Sequence, residues 1–212
     1  MINNKLLKSG TAAAPFVASE NFTPVVYNGT GQAAQNIQVG FEPAFIWIKK
    51  RNSATSSDHN LFDTVRGPAT NLNILYSDLS QGQDTSVGSN YLSDTITNGF
   101  TVGSSTYVNA AGNDYVAWCW KADTDFSHSA SGSQIASSGK SNQAAGFSIV
   151  SYTGNGSAGA TIAHNLGASP ELVLCKSLDS AIDWNVFSSS LSTNYMMKLN
   201  TLNYSVDDKV SA

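Results

Sequence analysis

Apolar residues recur along this chain in short runs, most of them alternating with polar ones and fenced by Gly, Pro, Asn and Asp. That two-residue period predicts strands at 22–27, 35–39, 44–50, 61–65, 72–76, 99–103 and 115–121. Asn28-Gly29, Gly40 with Pro43, Gly67-Pro68, Asn98-Gly99 and Gly112-Asn113 mark turns between them. The stretch TYVNAAGNDYVAW reads as a hairpin turning at residues 110–114, and a short helical turn is expected near 62–66. Two runs, AFIWIK and YVAWCW, are apolar on both faces: Phe45 and Trp47 point one way, Ile46 and Ile48 the other. One face belongs to a core. The other needs cover from a second sheet, another module or a neighbouring chain.

The pattern then repeats. FTPVVYNGTGQA from Phe22 returns as FSIVSYTGNGSA from Phe147, pairing Tyr27 with Tyr152, Gly29 and Gly31 with Gly154 and Gly156, and Ala33 with Ala158, all at an offset of 125. GFEPAFIWIKK then matches GASPELVLCKS after a two-residue insertion, and the first offset resumes at Asn60/Asn185 and Phe62/Phe187. A unit this long predicts tandem domains, not a solenoid of short repeats. The expected fold is all-β: tandem β-sandwich-like modules, the second incomplete, with an N-terminal arm. The expected boundaries are an attachment arm at 1–20, a first module at 21–122, a Ser/Gly-rich connector at 123–145 and a truncated second copy at 146–212. Residues 22–50 and 147–176 should superpose. The second copy has no counterpart of GFTVG or YVAWCW, so either the polypeptide continues past Ala212 or a neighbouring chain supplies the missing strands.

Only 12% of residues are charged, with Ser, Thr, Asn, Gln and Gly in their place, which suits strands and turns more than helices. Net charge of −4 argues against nucleic acid or an anionic membrane as partner. The basic run Lys49-Lys50-Arg51 reads as a solvated strand end. No run of 18 apolar residues is present, so no membrane insertion is expected, and the N-terminus lacks a secretory signal. Cys119 and Cys175 sit in apolar strands at positions that are not repeat equivalents, and are expected as buried free thiols.

Chemistry is thinly supplied. Gly154-Asn155-Gly156-Ser157-Ala158-Gly159 matches G-x-G-x-x-G, but ATIAH after it is strand-like where a phosphate site needs a helix N-terminus. His59, His128 and His164 lack companions at ligand spacing, and Asp123 and Asp125 read as a solvated loop, so no metal or other cofactor is expected. There is no nucleophile elbow and no evident carboxylate pair; the chain does not read as an enzyme. Trp47, Trp118 and Trp120 alternate inside strands and are expected in the core. Trp184, in a more polar setting, aligns with His59, and these two are the candidates for an exposed surface contact. Asp63 and Arg66 read as a local structural pair. In the arm, Leu6, Leu7, Phe16 and Val17 are the candidate attachment residues.

Taken together, FTPVVYNGTGQAAQNIQVGFEPAFIWIKKRN, LFDTVRGP and NGFTVGSSTYVNAAGNDYVAWCWKA resemble a β-rich module common in bacteriophage genomes, marine and cyanobacterial phages among them. The second copy resembles it too, through AGFSIVSYTGNGSAG, the turn carrying His164, Leu166, Gly167 and Pro170, and the Asp183-Trp184 strand. The resemblance covers about residues 20–205. It implies a virion structural protein, foremost a tail fibre or tail-associated adhesin that binds host surface glycans. A purely architectural adaptor or decoration protein is the second reading, and a polysaccharide depolymerase the third. The implied setting is the virion tail, after synthesis in the host bacterial cytoplasm, with other tail proteins as partners and a homo-oligomer, foremost a trimer, as the assembly. No catalytic residues are implied.

Overall fold

Alternation in the first module resolves into two packed antiparallel sheets. The computed structural model describes residues 16–52, 57–67, 72–86, 88–191, 195–201 and 205–206. Its first elements are β1 (Phe22–Asn28), β2 (Gln35–Gln38), β3 (Phe45–Lys50), β4 (Asn60–Asp63), β5 (Leu75–Tyr76), β6 (Leu92–Ile96), β7 (Gly99–Val102), a helical turn α1 (Thr106–Asn109) and β8 (Asp114–Trp120). One sheet has the order β1-β8-β3-β4-β5 and the other β2-β7-β6. Ile46, Ile48, Phe62, Tyr115, Ala117 and Cys119 from the first meet Ile37, Leu92, Phe100 and Val102 from the second in one buried cluster. Each such fully buried side chain stabilises the fold by about 1.5–3 kcal/mol relative to an exposed one. Burial pushes the Cys119 thiol up to about 12, so it stays protonated packing material.

The expected hairpin at 110–114 is replaced by a different local solution. Residues 106–109 form α1, with Ser105 Oγ accepting the Tyr107 N–H at 3.3 Å as an N-cap. Two core-facing tyrosines hold it: half-buried Tyr27 donates to Val108 O (2.7 Å) and buried Tyr115 to Thr106 O (2.9 Å). Asn109 is fully buried and secures the glycine turn after β1, donating to Gln32 O and Gly103 O while accepting from Thr30 N–H. Gly31 lies at φ 71°, a region that favours glycine, and its repeat equivalent Gly156 has the same φ of 71°. The glycine pattern is therefore a conserved turn geometry within the chain, and no helix follows it in either copy.

The remaining elements are β9 (Thr124–His128), β10 (Gln134–Ile135), β11 (Ser137–Asn142), β12 (Phe147–Tyr152), β13 (Thr161–Ile162), β14 (Leu172–Cys175), β15 (Asn185–Ser188), β16 (Tyr195–Lys198) and β17 (Ser205–Val206). They form the sheets β12-β11-β9 and β14-β15-β16-β17, with β10 and β13 paired in parallel. The connector expected at 123–145 is thus corrected: it contains β9, β10 and β11. Its Ser/Gly composition reflects close packing. Ser137, Gly139 and Ser141 face inward and are buried, and a Cβ on Gly139 would collide with the Ile149 carbonyl and the Phe126 ring.

The superposition expected for 22–50 and 147–176 fails at the level of sheet position. β1 and β3 share a sheet with β8 between them, whereas β12 and β14 lie in different sheets. In β1 the odd-numbered residues turn their backbone groups to β8, as the bonds Lys121 N–H to Asn21 O and Gly29 N–H to Asn113 O show. In β12 the equivalent positions Gly146, Ser148, Val150 and Tyr152 turn theirs to β11. β11 therefore occupies the flank of β12 that β8 occupies on β1, and β9 stands where β3 would. The segment read as a linker supplies the central strand that the second copy lacks.

Candidate functional site

The outward face of the five-stranded sheet is where the doubly apolar strands put their second set of side chains, and the register lays them out in rows. Phe22, Trp120 and Phe45 stand abreast, then Pro24, Trp118 and Trp47, then Val26, Val116 and Lys49, and finally Asn28 and Asp114. The strip therefore grades from aromatic to polar along the strand direction. Part of it is covered from within the chain. Phe147 of the second module stacks on Trp120 (5.9 Å, 20°) and contacts Phe45 (6.1 Å). Trp184 packs with Leu61 and Leu75, backed by Phe45, Trp47, Leu178 and Leu199. The second module is thus the cover that AFIWIK required.

The indole N–H groups separate structural from available tryptophans. Trp47 donates to His59 Nδ1 (2.8 Å) and Trp184 to Tyr76 O (2.8 Å). Trp118 and Trp120 are half-buried, and among the described residues neither indole N–H has an acceptor. With exposed Phe22, Pro24 and Val26 they form a ledge, covered at its Trp120 end by Phe147 and leading at the other end to Asn28, whose Nδ2 donates to Asp114 Oδ1 (2.5 Å). A flat aromatic surface with free N–H donors and flanking amide and carboxylate groups can stack on an apolar face of a ligand and hydrogen-bond its hydroxyls. The core role expected for Trp118 and Trp120 is corrected: both lie half-buried on the outer face, Trp120 packed against Phe22, Phe45 and Phe147.

Trp184 and His59, expected as exposed contacts, are corrected by the same geometry. Trp184 is 6% exposed, because the face opposite it is apolar and the Tyr76 carbonyl offers its polar tip a partner. His59 is half-buried behind Trp47, and its backbone N–H bonds Asp78 Oδ1 (2.9 Å). Burial first, and the Lys49 cation after it, pull the imidazole below its ordinary pKa against the opposing pull of Asp78 and Asp58. The neutral ring is the form that can accept the Trp47 proton. Phe16 and Val17 are exposed at the start of the described chain; Leu6 and Leu7 lie outside the described residues.

Asp63 and Arg66 form a buried ion pair, with Asp63 also accepting the Val65 and Arg66 N–H groups and Arg66 reaching Gln83 Oε1 (3.0 Å) and Leu61 O (3.2 Å). Gln83 N–H in turn bonds Leu178 O (2.7 Å), so this network also fastens the second module. Cys175 is half-buried, not buried as expected; its thiol lies 3.2 Å from the Tyr152 hydroxyl, and that bond, with burial, pushes Tyr152 up to about 12. A second concavity, an open cleft of about 510 Å³, lies between His128 and the 163–169 turn. His128 Nε2 has no partner there among the described residues, and His164 Nδ1 accepts from Leu166 N–H (3.3 Å). No group of three or more His, Cys, Asp or Glu able to hold a metal occurs among the described residues.

Residues 17–211 match the family described as a domain of unknown function, DUF7483. The chain belongs to that family. No curated protein and no solved structure matches it. Within this DUF7483 domain the strip residues Trp118, Trp120 and Phe22 were missed as a site because alternation alone assigns them to a face, not to a degree of cover. The available signal was the pairing of a doubly apolar strand with Pro24 and Val26, which marks one outward face as an edge region.

Proposed function

We propose that this DUF7483 chain is a bacteriophage virion protein of tail-fibre type that binds host surface glycan without catalysis, through the ledge Phe22-Pro24-Trp118-Trp120. The observation that carries the reading is half-buried Trp118 on the outer face, its indole N–H without an acceptor among the described residues, on a strip that runs on to Asn28 and Asp114. The phage setting is supported by the resemblance of the repeated motifs, and binding by the aromatic character of that surface and the carboxylate at its border. Individually weak contacts of this type gain strength through copy number.

The test is binding of the full chain to polysaccharide purified from candidate hosts, measured by calorimetry, with Trp118→Ala as the variant. Stacking on one aromatic ring contributes on the order of 1 kcal/mol, so affinity should fall about fivefold while the circular dichroism spectrum is kept. Equal binding by Trp118→Ala would remove the ledge from the account. Failure to bind any host polysaccharide, with stable association to purified tail proteins, would turn the reading to an architectural adaptor.

A further inference from the structure

Among the described residues, β14 offers a strand seat with no occupant on one side. Its repeat equivalent β3 lies between β4 and β8; β14 has β15 in the place of β4 and, among the described residues, no strand opposite. Ser189 N–H bonds Glu171 O (2.9 Å), so odd-numbered residues of β14 address β15 while Leu172 and Leu174 turn their backbone groups to the open edge. Their side chains are 58% and 44% exposed. The other face is no better covered. Val173 and Phe187 are 38% and 44% exposed, where their equivalents Ile46 and Phe62 are 1% and 0%.

The free edge of the five-stranded sheet at β1 is guarded. The open edge of β1 carries Pro24 at a position whose backbone faces outward, which removes a donor and discourages pairing. β14 has no proline and no charge between Glu171 and Lys176. An unguarded apolar edge is a template for an added strand.

The geometry points to β14 as the docking edge for an extended apolar segment of a separate polypeptide, of the kind β8 supplies to β3. In the β3–β8 register Trp120 opposes Phe45, Cys119 opposes Ile46, Trp118 opposes Trp47 and Ala117 opposes Ile48. Carried over by the 127-residue offset of this segment, the incoming strand runs antiparallel to β14, with bulky side chains opposite Leu172 and Leu174 and small ones opposite Val173 and Cys175. Charge fits the same direction. Lys176 stands at the end where β8 begins with Asp114, so an acidic residue leading the incoming strand meets a cation one diagonal step away. The seat is also continuous with an interface already formed, since the β14–β15 sheet is anchored on the first module by Trp184. Main-chain bonds would give such a complex its affinity and alternate side chains its selectivity. This inference does not rest on the glycan reading, which concerns the other module.

The probe is a synthetic peptide of residues 113–121 with Cys119→Ser, titrated into the full chain, with a scrambled peptide as control. Fluorescence anisotropy reports binding, and amide hydrogen exchange reports Leu172 and Leu174. The expected result is saturable binding, slowed exchange at those two amides, and affinity about tenfold weaker in the Leu172→Lys/Leu174→Lys variant, whose altered side chains are exposed and tolerate charge. No saturable binding, equal binding of the scrambled peptide, or unchanged exchange at Leu172 and Leu174 would overturn the proposal. So would light scattering showing that the unliganded chain dimerises with these amides already protected, since a second copy would then hold the seat.

Discussion

Replacing Trp184 with Ala removes a buried contact between the two modules, and its cost follows from the geometry. A tryptophan buries about 150–250 Å², and at about 25 cal/mol per Å² its transfer from water stabilises by roughly 4–6 kcal/mol as an upper bound. Alanine retains a part of that burial, and the cavity against Leu61, Leu75 and Trp47 adds a penalty, so the expected loss is about 3–5 kcal/mol. The Tyr76 carbonyl also loses its donor at 2.8 Å. Trp184→Phe separates the two contributions: it keeps most of the apolar contact and forfeits the hydrogen bond, for an expected loss of about 1–2 kcal/mol. Urea unfolding followed by far-ultraviolet circular dichroism measures both, and limited proteolysis should cut Trp184→Ala between the modules before either is degraded. If the two variants unfold within about 0.5 kcal/mol of the parent, a value ordinary for surface substitutions, the modules are not held by this side chain and the reasoning fails.

Asp63→Ala leaves the Arg66 guanidinium buried without its carboxylate and should cost about 3–5 kcal/mol in the same assay; a loss below about 1 kcal/mol would mean the pair is solvated in solution. His59 adds a pH dependence whose sign is fixed by its lowered folded pKa. The unfolded chain takes up a proton that the folded one resists, so this contribution is present above about pH 6.5 and is lost as pH falls from there toward the folded value. Urea midpoints at pH 7.5 and 5.5 should therefore differ more for the parent than for His59→Gln, whose amide oxygen can accept from Trp47 without titrating. An equal difference in the two proteins would dismiss the histidine as the cause.

The alternation of AFIWIK and YVAWCW, the paired F-x-x-V-x-Y-x-G-x-G segments and the turn glycines determined the all-β class, most first-module strands and the repeated glycine turn, while the sheet positions of the two copies diverge. These features are local, and a period of two or a left-handed glycine leaves its mark on neighbouring residues. Residues 137–142 gave no such mark: SSGKSN has no apolar period, and it is a central strand because Gly139 and the flanking serines fit a space that only the approach of β9 and β12 creates. The four tryptophans make the same point. Trp184, in a polar setting, is buried because the first module's outer face meets it, and Trp118, in an apolar strand, is half-exposed because the cover stops short of it. Sequence assigned each side chain to a face; tertiary packing alone decided which faces met protein and which met water, because burial depends on partners distant in the chain.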